Sequence, residues 1–163
     1  MKMLEKLDKL DRRYIFLLIG LAVFIPILLK VVIKVPPSPV VKSIYTAIEK
    51  IPEGSVVLLS FDYDPSTRAE LQPMASGIVD HCFRRNLKIV AMAFWAPGVQ
   101  LANTLLAEKA EKYQKKYGED YINLGYKVGG LVVMDNMGIS IRNSYPNDAN
   151  NTALDSFEFM KKV

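Results

Sequence analysis

Cysteine and histidine are almost missing from this chain: its 163 residues include one Cys, one His and one Trp. A lone Cys82 cannot close an intrachain disulfide, so no disulfide framework holds the fold. His81 is its chain neighbour, and one adjacent pair falls short of the clustered Cys and His ligands that a structural zinc requires. No metal is assigned from the sequence, and no cofactor is identified. Repeats and low-complexity tracts are also missing. Net charge is missing from most of the chain as well. The formal charge is +4, yet residues 1–35 alone hold seven Lys or Arg against three acids, and the remainder holds fourteen of each sign. A neutral domain projects no field that would gather a phosphate backbone, which excludes nucleic acid as a partner.

What the sequence does have is a long apolar run. Tyr14 to Leu29 carries no charge, and it continues through Val31, Val32 and Ile33 between Lys30 and Lys34. With both lysines snorkelling, residues 14–35 reach the roughly 20 residues that a bilayer core demands. They read as a transmembrane anchor behind a basic N-terminal tail, residues 1–13, with Pro26 as a kink that membrane helices tolerate. The exit, Ile33 to Ser38, lacks a small-x-small cleavage pattern and has no nearby Cys, so the anchor reads as uncleaved. The basic tail places the N-terminus in the cytoplasm and the domain outside it. The expectation is a single-pass plasma-membrane protein with the lipid bilayer as a partner through residues 14–35.

Residues 36–39 form a stiff Pro-rich linker, and residues 40–163 read as an α/β domain. Ser38 and Pro39 open a helix that runs to Lys50. Ser55–Phe61 and Lys88–Trp95 are short apolar runs of strand formers, and Tyr121–Tyr126 is a third. Between them, Asp64-Pro65 opens a helix with a stripe of Leu71, Met74, Ala75, Ile78, Val79 and Cys82, and Pro97-Gly98 opens another that ends at Gly118. Leu131–Met137 fits a helix or a strand equally. Alternating short connections predict a small, incomplete, Rossmann-like parallel sheet with helices on both faces. So few strands leave both sheet edges open, which favours self-association or docking onto another membrane protein. Leu154, Phe157, Phe159 and Met160 near the end of the sequence either stay exposed or fold back to close the core.

Ile51 to Trp95 contains Phe61-Asp62-Tyr63-Asp64-Pro65-Ser66-Thr67, His81-Cys82-Phe83 and Lys88-Ile89-Val90. With Gly125-Tyr126-Lys127 and Gly129-Gly130, it resembles a family of uncharacterised bacterial membrane-anchored proteins. The resemblance implies further strands, a second membrane helix, and a chain that matches the N-terminal part of a longer protein. It implies no activity.

Ligands of open parallel sheets bind beyond the carboxyl ends of the strands. Asp62, Asp64, Ser66, Thr67, Trp95, Gly98, Lys127, Gly129 and Gly130 converge there as candidate ligand-binding residues. Asp62-x-Asp64 after a buried strand resembles the nucleophile loop of haloacid-dehalogenase-type phosphatases, with Lys127 in the place of that family's lysine. No acidic pair stands further along the chain to hold magnesium, and the competing reading makes Asp64 a helix cap and Asp62 a turn brace. Lys127 with Gly129-Gly130 forms either an anion nest or a plain turn. Trp95 either packs or stacks on a ligand. On a helix His81 and Cys82 point about 100 degrees apart, which precludes a dyad; Cys82 joins the apolar stripe and His81 faces outward. The sequence leaves two functions as expectations. One is a membrane-anchored module acting by association or small-ligand binding. The other is an enzyme acting on a phosphate- or carboxylate-bearing substrate at Asp62, Asp64 and Lys127.

Overall fold

The computed structural model describes residues 11–29 and 36–163. The chain divides into two compact units, residues 1–39 and 40–163. In the first, helix α1 (Arg12–Leu28) starts at Asp11, whose side chain accepts the Arg13 N–H, and stops at Leu29, whose N–H returns to the Ile25 carbonyl. Its 17 residues rise about 25 Å, short of a hydrocarbon core of about 30 Å. No helix among the described residues is long and apolar enough to cross a membrane. The transmembrane reading of residues 14–35 is therefore corrected. The run counted past a helix end at Leu28, and its last part, residues 30–35, lies outside the described residues, as does most of the basic tail. The plasma-membrane location and the extracytoplasmic placement both rested on that span and go with it.

The second unit is α/β. Helix α2 (Pro39–Glu49) begins at its first proline, whose missing N–H costs nothing there. Strand β1 (Val56–Ser60), helix α3 (Arg68–Arg84), strand β2 (Lys88–Ala93), helix α4 (Ala96–Tyr113) and strand β3 (Tyr121–Tyr126) then alternate. Helices α5 (Leu131–Ile139) and α6 (Ile141–Ser144) and two 3-10 turns come after β3. All pairings are parallel, in the order β1-β2-β3.

That order corrects the Rossmann-like expectation. Both crossovers step the same way, and right-handed crossovers then lay α3 and α4 on the same face. Val79, Cys82 and Phe83 of α3 and Ala102, Leu105 and Leu106 of α4 pack there on Ile89 and Ala91. Among the described residues the strand order does not reverse, so these three strands form no switch point between them. The opposite face is covered by the chain beyond β3: Val133, Tyr145, Leu154, Phe159 and Met160 sit on Val90, Met92, Ile122 and Leu124. The residues near the end of the sequence thus fold back. Arg142 holds them, its guanidinium donating to the Asp155 carboxylate (2.7 Å) and to the carbonyls of Met160 (2.6 Å) and Val163 (2.9 Å). This cover reaches Val56 at the start of β1 but stops short of Leu58, which remains 45% exposed.

Some boundaries move. Helix α4 ends at Tyr113, short of the Gly118 end that the sequence implies, because Gln114 takes a left-handed conformation and the Lys115 N–H closes on the Ala110 carbonyl. Leu131–Ile139 is a helix, and Gly129 and Gly130 turn the chain into it at φ of 134° and 45°, where a side chain would be strained. His81 is buried rather than outward. Helix α2 covers it, with Tyr45 stacked on its ring and the Glu49 carboxylate 2.8 Å from Nε2.

Candidate functional site

Asp62 lies just past the carboxyl end of β1. Its Oδ1 accepts the Phe94 N–H at 2.6 Å and its Oδ2 accepts the Ser60 hydroxyl at 2.5 Å, so it ties the end of β1 to the end of β2. Asp64 gathers the next turn: its Oδ1 accepts the Ser66 N–H (2.8 Å), the Ser66 hydroxyl (2.6 Å) and the Thr67 N–H (3.3 Å). Those donors from Ser66, with smaller help from Thr67 and Trp95, hold its carboxyl below the usual aspartate value. Pro65 sits in this turn rather than at a helix start, and α3 begins at Arg68 behind Thr67, whose side chain makes no capping bond. Asp64 therefore shapes the approach to α3 without capping it.

The remaining candidates divide. Gly98 is buried, and a Cβ there would collide with the Phe61 carbonyl oxygen, which makes it the point of closest approach between α4 and the end of β1. Trp95 opens α4 and is 52% exposed. Lys127 turns away from the Gly129-Gly130 turn: its ammonium donates to the Ser144 carbonyl and lies 5.5 Å from the centre of the Tyr145 ring. Asp62, Lys127 and Tyr145 thus share one end of the sheet, although no sequence spacing links residue 145 to the others. Tyr145 is buried, its hydroxyl has no hydrogen-bond partner among the described residues, and burial with the nearby Asp62 charge raises its pKa. Among the described residues no cluster of His, Cys, Asp or Glu is fit to hold a metal ion. Cys82 is fully buried, and desolvation pushes its thiol up to about 11, far from a nucleophile's range.

The sheet edges differ sharply. On β3 the outward groups are satisfied by the chain itself. The Tyr121 carbonyl accepts the Gly118 N–H (2.8 Å), the Asn123 carbonyl accepts the Ala149 N–H (2.7 Å), and the Gly125 N–H donates to the Asn123 side chain (2.9 Å). Asn123 is held in turn by Asn103 at 2.7 Å, and Tyr117 donates to Asp148 at 2.5 Å, so this margin is braced. The expectation of two open edges is corrected on this side.

On β1 the ladder to β2 begins with the Lys88 N–H on the Ser55 carbonyl and ends with the Phe61 N–H on the Met92 carbonyl, both at 2.9 Å. Parallel pairing alternates, so the backbone groups of Val57 and Leu59 point to β2 and those of Val56, Leu58 and Ser60 point away. Among the described residues nothing pairs with that outward row. A groove of about 240 Å³ lies at the carboxyl end of the strand, between residues 59–63 and Leu71, Ala75 and Ile78 of α3. The strand carries no charge, no proline and no bulge, the usual means by which an edge is blunted.

Further apolar surface lies near the carboxyl ends of the strands. In α5 only Val133 is buried, leaving Leu131, Val132, Met134 and Ile139 exposed beside Val128. No protein-family model, no curated protein and no solved structure matches this chain.

Proposed function

We propose that the chain works by association, as a docking module that receives an extended partner segment along the outer edge of β1. The open row of Val56, Leu58 and Ser60 backbone groups beside the α3 groove carries this reading. Strand addition draws affinity from main-chain hydrogen bonds and selectivity from pockets for alternate side chains, and β1 offers both. The contrast with β3 supports it, since the same chain satisfies most of that edge's outward groups. Exposed apolar residues on α5 give the domain a second apolar surface. On this reading Asp62 and Asp64 act as braces that keep the end of β1 straight and presentable, and the phosphatase-like role is not needed.

The test is a short labelled peptide of alternating Val and Thr, titrated onto the full chain with anisotropy as readout. Saturable binding is expected, lost when alternate peptide nitrogens are methylated and lost with Leu58→Pro. That variant removes an outward N–H and no bond to β2, so the sheet remains. Binding that survives both changes would overturn the reading.

A further inference from the structure

We infer that the segment received by β1 is β1 of a second copy of this chain, paired antiparallel about a two-fold axis at Leu58. The inference rests on the edge reading above and names its occupant.

The geometry is self-complementary. In an antiparallel pair, residues that exchange both bonds must each point N–H and C=O toward the partner strand. Val56, Leu58 and Ser60 all do so. Setting Leu58 opposite Leu58 then places Val56 opposite Ser60 at each end, and every outward group finds a partner. Shifting the register by one residue would oppose groups that already serve β2. A two-fold axis also sets like beside like, so any charge on the strand would meet its equal; like charges directly opposite are destabilising. Residues 56–60 carry none, and the flanking acids avoid each other, with Asp62 opposite Gly54 and Glu53 opposite Tyr63.

The side chains agree. Directly opposed residues in an antiparallel pair point to the same face, so the two half-exposed Leu58 side chains cover one another where the second-face layer stops short. On the other face the groove of each copy, beside residues 59–63, faces residues 53–57 of the other copy across the two-fold axis. The product is one continuous sheet whose two remaining edges are the β3 edges, largely satisfied by the chain itself. A closed two-fold assembly is the commonest way for such a surface to be used up.

Single-cysteine crosslinking of the full chain decides the matter. The native Cys82 is fully buried and stays out of the reaction. In the inferred register the two Leu58 Cα atoms lie about 5.5 Å apart, inside the range of about 4.4–6.8 Å that a disulfide spans. The two Val56 Cα atoms lie roughly 14 Å apart, well outside it. Under mild oxidation Leu58→Cys is expected to form covalent dimer on the order of tenfold faster than Val56→Cys, and a mixture of Val56→Cys with Ser60→Cys is expected to crosslink. Equal rates at 56 and 58, or a wild-type chain that sediments as a monomer at every concentration, would overturn the inference. If the chain is monomeric while the Val-Thr peptide still binds at Leu58, the second copy falls and the edge reading stands. If the peptide fails as well, both fall.

Discussion

Single side chains in this domain mostly hold strand ends and helix approaches in place. Gly98 is the tightest case. Its lack of a Cβ lets the first turn of α4 rest against the Phe61 carbonyl at the end of β1, where backbone cannot retreat without disturbing the Phe61 bond to Met92. Gly98→Ala is expected to cost about 1–3 kcal/mol by overpacking, read as a lower denaturant midpoint with an unchanged slope. An unaltered midpoint would show that the approach is looser than described. Cys82 was legible as core from its place in the α3 stripe. His81 was not, because its cover comes from α2, more than thirty residues earlier, and nothing local to position 81 encodes that lid. The role of Lys127 was hidden for the same reason. Its partner carbonyl at Ser144 arrives only after α5 and α6 have folded back.

At the scale of elements, α3 and α4 are joined by Asp80, which accepts from Lys109 at 2.8 Å and Lys112 at 3.1 Å. Sequence spacing pairs Asp80 with Arg84 on its own helix, but the neighbouring helix supplies closer cations. Burial raises the Asp80 pKa, yet the two ammonium groups outweigh it and the carboxyl ends below its ordinary value of 3.8. A lowered folded value contributes stability above the unfolded value, and that contribution is lost as pH falls through the folded one. Asp80→Asn is thus expected to lower the melting temperature at neutral pH, with the gap to wild type closing below about pH 4. A gap that stays constant across that range would contradict the assignment. The strands were readable because buried parallel strands are short continuous apolar runs, and β3 matches its sequence bounds. Helix ends were harder to read. Gln114 leaves the helix through a left-handed conformation that no glycine announces, and Pro65 serves a turn rather than a first helical position. The apolar run at the start of the sequence misled for a related reason: hydropathy counts residues, whereas α1 ends at Leu28.

For the whole molecule the deciding feature is an asymmetry between two edges of one sheet. That the sheet would be small and parallel was visible in the sequence. That one edge would be sealed was not, since Gly118 and Ala149 reach β3 from loops whose paths depend on the finished fold. An open, uncharged strand is a hazard for a chain meant to stay alone and a docking element for one that associates. Site-resolved amide exchange on the full chain, followed with dilution, tests this most directly. The Val56, Leu58 and Ser60 amides are expected to exchange fast when dilute and to gain protection as concentration rises, while the Asn123 and Gly125 amides stay protected throughout. Protection of the β1 amides that does not change with dilution, or fast exchange at every concentration, would contradict association through this edge.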